Sequence, residues 1–508
     1  MSNTFATNAL FRAARRGEDA NRWLEGRRNW IACVVAVLAL QAILVVTHRA
    51  WLDEWQALQI AVQSPTLPSL FENLRYEGHP PLWYLLLRTI ATVLPTNWLL
   101  RGVQLPIALA LQLLILCQLP LRRSERLLWA CNPYVLIDYG AIARSLGLGV
   151  LLFTAAVQLR ERRGVWVLIA LLPMVDFFFG ALSIVLLVIL WRERRLWIPG
   201  LFLWIVCCLA AAWSVRPAPD MTTALSLQGP IIDAVIELAR FGALLLPLTI
   251  ANGQVVWNQL PPLALALPGG VLFLGIGFWE LRCDKLAQIV FASFTALIFI
   301  FSMFVYPLAI RHVSLSAVLL IVLIAILHDG QDEVRRLFGA WLLIGACCGI
   351  PFAIVNIVRP FDTAPRVAAF ITDHHLETKH WASFPESRAQ GVSALSGVEF
   401  ERLEQNCTES FIRWNHRSQI TSVSSLEREL KRIAMRSGSF YLLTDFDLLL
   451  KARDKAAYRQ LLLEPAGVDA QPYFLYQVRP DLPEKPPSVP QCAPTRLRLQ
   501  PTLVLRRP

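Results

Sequence analysis

The chain has 508 residues, 55% of them hydrophobic and only 17% charged. That balance excludes an ordinary soluble enzyme, and several long apolar runs indicate a polytopic membrane protein. The net charge of +11 is not a nucleic-acid signal, because most basic clusters lie in short gaps between apolar runs, where they orient the chain.

The first 28 residues form a basic arm carrying Arg12, Arg15, Arg16, Arg22, Arg27 and Arg28, which the positive-inside rule places in the cytoplasm. No small-residue cleavage site clearly follows the first apolar run, so no cleavable signal peptide is expected. A first spanning helix over 29–48 then exports a far-side loop, 49–79, to the opposite face. Within it, Trp55, Leu58 and Val62 recur at helical spacing and predict a short interfacial helix over 53–63. Four carboxylates (Asp53, Glu54, Glu72, Glu77) and His79 lie between this first span and the next apolar segment, and charge at a membrane edge is usually kept for a task. Two prolines, Pro80 and Pro81, stiffen the start of that segment and leave Glu77 and His79 free to line a site. Glu72 reads as a solvated loop acid.

Pro80–Pro95 and Pro106–Leu121 are both short for a crossing. If Arg122, Arg123 and Arg126 are cytoplasmic, the stretch 80–121 crosses an odd number of times. Leu127–Ile137 leads to Asp138-Tyr139 and then Ala143-Arg144-Ser145, so Arg144 is held near a membrane edge, where an arginine can bind a lipid phosphate bidentately or snorkel toward headgroups. Basic clusters at 160–163 and 192–195 flank Val165–Trp191, which therefore reads as a hairpin of two short helices with Asp176 at its tip, on the side of Asp53. Leu196–Val215 rises, 216–233 is a Pro- and Thr-rich loop, and Ala234–Thr249 is amphipathic. Leu263–Trp279 and Leu286–Tyr306 flank a basic loop, Arg311 and His312 interrupt two apolar runs on the far side, Val313–Leu327 descends to 329–336, and Leu337–Ile357 rises last. The expectation is an all-α bundle of about 11–13 transmembrane helices, at roughly 20 residues per crossing.

From 358 to 508 no spanning segment follows. Helical patterns (366–376, 423–437, 447–463) and strand-like runs (Phe440–Thr444, Pro472–Val478) predict a small extracytoplasmic α/β domain with a Pro-rich tail from Pro480. Seventeen tryptophans suit interfacial belts. Of ten cysteines, only Cys407 and Cys492 lie in this polar domain, and a disulfide between them is expected in an oxidising compartment. No metal-ligand spacing occurs among the cysteines.

An acidic pair directly after the first span, Asp53-Glu54, followed by His79-Pro80-Pro81-Leu82-Trp83-Tyr84, resembles membrane glycosyltransferases of the GT-C fold. The likeness is to the protein-mannosyltransferase and aminoarabinose-transferase branch and its bacterial relatives. The resemblance implies a polyprenyl-phosphate-linked sugar donor, a lipid, glycan or protein acceptor, and Asp53 as the base that takes the acceptor's proton. Without it, Asp53 is also a sensible helix N-cap. Glu54 is then a partner of Asp53, or a metal or acceptor contact, with a divalent metal left open. The resemblance also implies acceptor or donor-phosphate contact at His79 and donor-phosphate contact by the basic residue at Arg311, beside His312. Asp138-Tyr139 and Ala143-Arg144 resemble a further motif of Ala-Arg-aromatic-Tyr form, in which Ser145-Leu146 stands in place of the aromatic residue and tyrosine. Trp414 and Asn415 resemble part of the family's soluble domain and take no role. In a bacterium the implied location is the inner membrane, with the C-terminal domain periplasmic. The competing readings are a transporter or lipid flippase, or a non-catalytic subunit of a polysaccharide assembly system; the absence of internal repeats and the clustering of charge at one face favour the transferase.

Overall fold

The structure is a computed structural model and describes residues 23–219, 221, 230–247, 249–251, 254–327, 335–414, 420–469, 471–485 and 489–492. Most of the basic arm, part of the 216–233 loop, most of the 329–336 loop, Asn415 and most of the Pro-rich tail lie outside the described residues. The protein is mostly helical, at 65%, with a small sheet region near the C-terminus.

Among the described residues, six helices are long and apolar enough to cross a membrane: Arg27–Thr47, Thr96–Gln118, Leu263–Glu280, Lys285–Phe304, Ile310–Leu327 and Arg336–Val358. Four shorter apolar helices accompany them: Ser145–Gln158, Val165–Met174, Phe177–Arg192 and Ile198–Ser214. The stretch 80–121 folds as a nine-residue helix, Leu82–Ile90, and one continuous helix long enough to span, Thr96–Gln118, that takes in Arg101, Gly102 and Pro106. Asp176 caps the tip of the 165–192 segment, and the segment's two basic ends meet through Arg160–Glu193 and Arg195–Glu161.

The amphipathicity of the first helix is inverted. Ile31, Val35, Ile43 and Val46 face outward, while Gln41 is wholly buried. Its amide donates to the carbonyl of Leu136 (3.1 Å) and its oxygen accepts from Gln112 (3.0 Å), which also donates to Ala130. Gln104 donates to the carbonyls of Tyr139 and Gly140 at 2.8 and 3.0 Å. These three glutamines satisfy backbone along 130–140, where the chain leaves regular α-helix for a π-turn at Tyr134–Asp138. An irregular segment deep in an apolar bundle is tolerated only when its polar groups find such partners. Leu315–Leu327 runs through the centre, and every residue from Leu315 to Ala325 is buried.

The Leu52–Gln63 helix forms as the sequence predicts, yet it does not lie free at an interface. Glu54 through Ala61 are all buried, because the C-terminal domain covers the helix's polar face. Gln56 exchanges two hydrogen bonds with the backbone of Ile412 (2.8 and 3.0 Å), Arg413 donates to Asn73, and Phe411 joins the apolar cluster of Trp55, Leu58 and Trp83. Local periodicity detects the apolar stripe but not what sits on the other side.

The C-terminal domain holds a six-stranded sheet in the order β5-β4-β3-β6-β8-β7. Its strands are β3 (Trp381–Phe384), β4 (Phe400–Arg402), β5 (Cys407–Glu409), β6 (Phe440–Thr444), β7 (Tyr458–Glu464) and β8 (Tyr473–Val478); β1 (Thr249–Ala251) and β2 (Gln254–Val256) form a separate hairpin. β3 runs parallel to β4 and β6, and the other pairs are antiparallel. The 447–463 stretch corrects the reading: only Leu448–Lys451 is α-helical, and Tyr458–Glu464 is an edge strand pairing along β8. Pairing with a neighbour overrides the local propensity of its Ala-, Lys- and Leu-rich sequence. Cys407 and Cys492 are bonded, their Cα atoms 4.9 Å apart.

Candidate functional site

Four separate parts of the chain meet at one end of the bundle. The first is Asp53, in the first turn of Leu52–Gln63. The second is His79, placed by Gly78, whose φ of +75° ends the Leu67–Glu77 helix in the left-handed region that favours glycine. The third is Arg144, immediately before Ser145–Gln158. The fourth is Arg311, in the first turn of the central helix.

Asp53 Oδ2 accepts from Arg311 Nη2 at 2.7 Å, with the aspartate side chain a quarter exposed. Arg144 Nη1 donates to the backbone carbonyl of Asp53 (2.6 Å), and its Nη2 lies 3.3 Å from His79 Nε2. His79 Nδ1 lies 3.1 Å from Asp176 Oδ2. Because an arginine can only donate, this fixes the tautomer: Nε2 accepts from Arg144 and Nδ1–H donates to Asp176. Asp176 also caps its own helix by accepting from the N–H of Phe178 (3.0 Å). Burial alone would raise the pKa of Asp53. The charges of Arg144 and Arg311 and the Arg311 hydrogen bond outweigh it and hold the carboxyl below its ordinary 3.8.

Two tryptophans that the sequence reading did not single out complete the frame. Arg311 lies over the rings of Trp51 and Trp257, at 5.2 and 5.5 Å from their centroids. Cation–π contact and the Asp53 pair together fix one face of the guanidinium, while Nη1 is buried without a partner. Trp51 adjoins Asp53 and could have been inferred from that position; Trp257 arrives from a distant loop, and no local signal marks it.

The other expected residues divide by position. Glu77 sits at the rim, accepting from Gln56 (3.2 Å) and interacting with the Tyr84 hydroxyl. His312 is buried beside Phe178, and its Nδ1 has no partner. Asp138 is buried beneath the site, accepting from Trp257 Nε1 at 2.8 Å, and so positions the tryptophan. Tyr139 is fully buried, its hydroxyl 2.6 Å from Ser314 Oγ, and braces the start of the Arg311 helix.

Glu54, expected beside Asp53 as catalytic, points elsewhere. It is completely buried; Oε1 accepts from the N–H of Ala143 (2.7 Å), and Oε2 takes His48 (2.8 Å) and the N–H of Trp51 (3.0 Å). It staples the end of the first span to the Arg144 segment. Adjacent helix residues point about 100° apart, so two acids in sequence need not share a pocket. Among the described residues, no three His, Cys, Asp or Glu side chains converge as a metal would require, so the divalent metal left open by the sequence finds no ligand set among them.

What converges is the Asp53 carboxylate, two guanidiniums and an imidazole oriented by the Asp176 carboxylate, partly open to solvent, at the mouth of an apolar bundle. No family model, no curated protein and no solved structure matches the chain.

Proposed function

We propose that the protein is an integral-membrane glycosyltransferase that moves a sugar from a polyprenyl-phosphate donor to a lipid, glycan or protein acceptor, with Asp53 as general base. The observation that carries this reading is the pairing of a partly exposed Asp53 with Arg311, beside Arg144 and His79. In this reading the N-terminal arm is cytoplasmic, and the Asp53 end and the C-terminal domain face outward, into the periplasm in a bacterium.

The chemistry balances within these groups. The acceptor's heteroatom forms a bond to the anomeric carbon as the carbon–oxygen bond to phosphate breaks. The acceptor's proton passes to Asp53, and the leaving phosphate keeps the electron pair. Arg311 and Arg144 receive that charge, which is the term most often dominant in such sites. Arg311 has one hydrogen-bonding face on Asp53 and an unpartnered Nη1. A phosphate competing for this guanidinium weakens its hold on Asp53 and makes the carboxylate more basic at the moment a base is needed.

The test is transfer by purified protein supplied with polyprenyl-phosphate sugars. Asp53→Asn keeps the shape but cannot take the proton; it should slow transfer by about 10²-fold or more, roughly 3 kcal/mol, with the melting temperature retained. Full activity in a folded Asp53→Asn protein would falsify the mechanism. Donor translocation without transfer by the wild type would instead identify a flippase.

A further inference from the structure

A cavity lies beside the Asp53 site, and the proposed chemistry does not use it. It measures about 240 Å³ and sits where the Arg27–Thr47 helix ends and the Thr96–Leu113 helix begins, roofed by Pro365 and Leu395 of the C-terminal domain. Part of the cavity lining adjoins the site in sequence. Glu54 and Ala143 line the cavity. Their neighbours Asp53 and Arg144 build the site, bonded carbonyl to guanidinium at 2.6 Å.

The lining is cationic. Arg49 and Arg101 both face the cavity and repel one another. Arg101 lies over the ring of Trp98, 5.5 Å from its centroid, and donates to the carbonyl of His48 at 3.2 Å. Glu54 is the carboxylate in this lining, but both of its oxygens are already taken by His48, Trp51 and Ala143. Among the described residues neither arginine forms an ion pair; Glu54 offsets part of the charge on Arg101 through space, but two guanidiniums outnumber one carboxylate, so the hollow suits an anion. Deeper in, Gln104 is fully buried, and its Oε1 has no hydrogen-bond partner. A buried acceptor left unsatisfied is costly unless something in the cavity donates to it. The pair thus asks for a phosphate at the mouth and a hydroxyl or amine further in.

Position narrows the ligand further. Both flanking helices are long and apolar enough to cross a membrane, so the cavity opens where they leave the apolar layer. Its volume falls below the roughly 300–1,000 Å³ that engulf a whole small ligand, so it admits a headgroup rather than an entire lipid. Basic hollows between spanning helices recognise anionic headgroups in this way.

We propose that Arg49 and Arg101 bind the phosphate of an anionic phospholipid headgroup in this cavity, with Gln104 accepting from a headgroup hydroxyl. The occupant braces the peptide units that carry Asp53 and Arg144. Binding needs no turnover, so the proposal stands or falls independently of the transferase reading.

The experiment is native mass spectrometry of detergent-purified protein incubated with phosphatidylglycerol or with phosphatidylcholine, beside thermal melts in inorganic phosphate. The wild type should retain one phosphatidylglycerol and not phosphatidylcholine. Arg49→Gln/Arg101→Gln should retain at least tenfold less, and Arg49→Lys/Arg101→Lys should recover part of it, which separates lost charge from lost fold. A phosphate-dependent rise in melting temperature that disappears in the glutamine variant, without selective lipid retention, assigns the same site to a free phosphate compound. Equal phosphatidylglycerol retention in the wild type and the glutamine variant, with no phosphate-dependent melting shift, overturns the proposal.

Discussion

The protein contains two clusters of the same residue types, one at the end of the helical bundle and one in the sheet domain. In the sheet domain His380 Nε2 lies 2.5 Å from Glu401 Oε2, and Arg436 holds both oxygens of Glu401 at 2.6 and 2.7 Å. The His380 and Glu401 side chains are 1% and 0% exposed. At the bundle end, by contrast, His79 and Asp53 are each 25% exposed. Each cluster joins a carboxylate, an imidazole and a guanidinium, so composition does not distinguish them. Access does: a carboxylate sealed from solvent can hold a fold together but cannot meet a substrate. The sheet cluster is therefore read as structural and the bundle-end cluster as chemical.

The comparison breaks most visibly at Glu401. Its replacement by alanine leaves the sealed His380 without its partner and removes two hydrogen bonds from the part-exposed Arg436; with hydrogen bonds to a charged group worth about 1.5–3 kcal/mol each, the sum should reach about 3–5 kcal/mol. Thermal melting should show that loss, with transfer per folded molecule unchanged. A fall in transfer with no loss of stability would mean that the sealed cluster is not structural. The disulfide should matter somewhat less. Cys407→Ser/Cys492→Ser removes the tie that holds the segment after Pro490 against β5, where Cys492 N–H also donates to the carbonyl of Thr408 (3.0 Å). It should destabilise the protein by about 2–4 kcal/mol, read from melts under non-reducing conditions.

Arg144→Ala sharpens the other side. A hydrogen bond to a charged group is worth about 1.5–3 kcal/mol, so donor affinity and turnover should both fall by roughly tenfold or more. In the proposed mechanism phosphate is held in the ground state and in the transition state, and a variant that loses turnover but binds donor normally would assign Arg144 to positioning Asp53 alone.

Acidity gives the smallest and most discriminating signal. Burial would raise the pKa of Glu401, but hydrogen bonds from His380 and Arg436 and their charges outweigh it and hold the carboxyl below 4.5. A depressed folded pKa contributes stability in full above the unfolded value and loses it as the pH falls through the folded one. The sheet domain should therefore keep this contribution at neutral pH and give it up only below about 4.5. Asp53 is held below 3.8, so the acid limb of kcat/KM, which reports the free enzyme, should lie below that value. The limb of kcat should stand at higher pH, because in the proposed mechanism bound phosphate competes for Arg311. Coincident limbs would show that Arg311 does not change partners.

Much of the architecture was legible without coordinates. Runs of apolar residues bounded by arginines mark helices because burying or exposing a charge in an apolar layer is too costly to occur by accident. That argument locates the helices near 29–48, 263–279 and 337–357, the tip at Asp176, the change of character at 358 and the two cysteines that bond. It also places Asp53, His79, Arg144 and Arg311 beside apolar segments. Pairing was not legible, since a period in the sequence reports which face is buried and never against what. Asp53 meets Arg311 across 258 positions, His79 meets Asp176 across 97, and Gln56 meets Ile412 across 356. For the same reason Glu54 read as a twin of Asp53, although one residue of helical rotation turns it into the lining of the cavity beside the site. Sequence alone determined which charges sit next to apolar segments, through local desolvation cost; only the tertiary structure decided which of them face solvent together, because that depends on how distant helices pack.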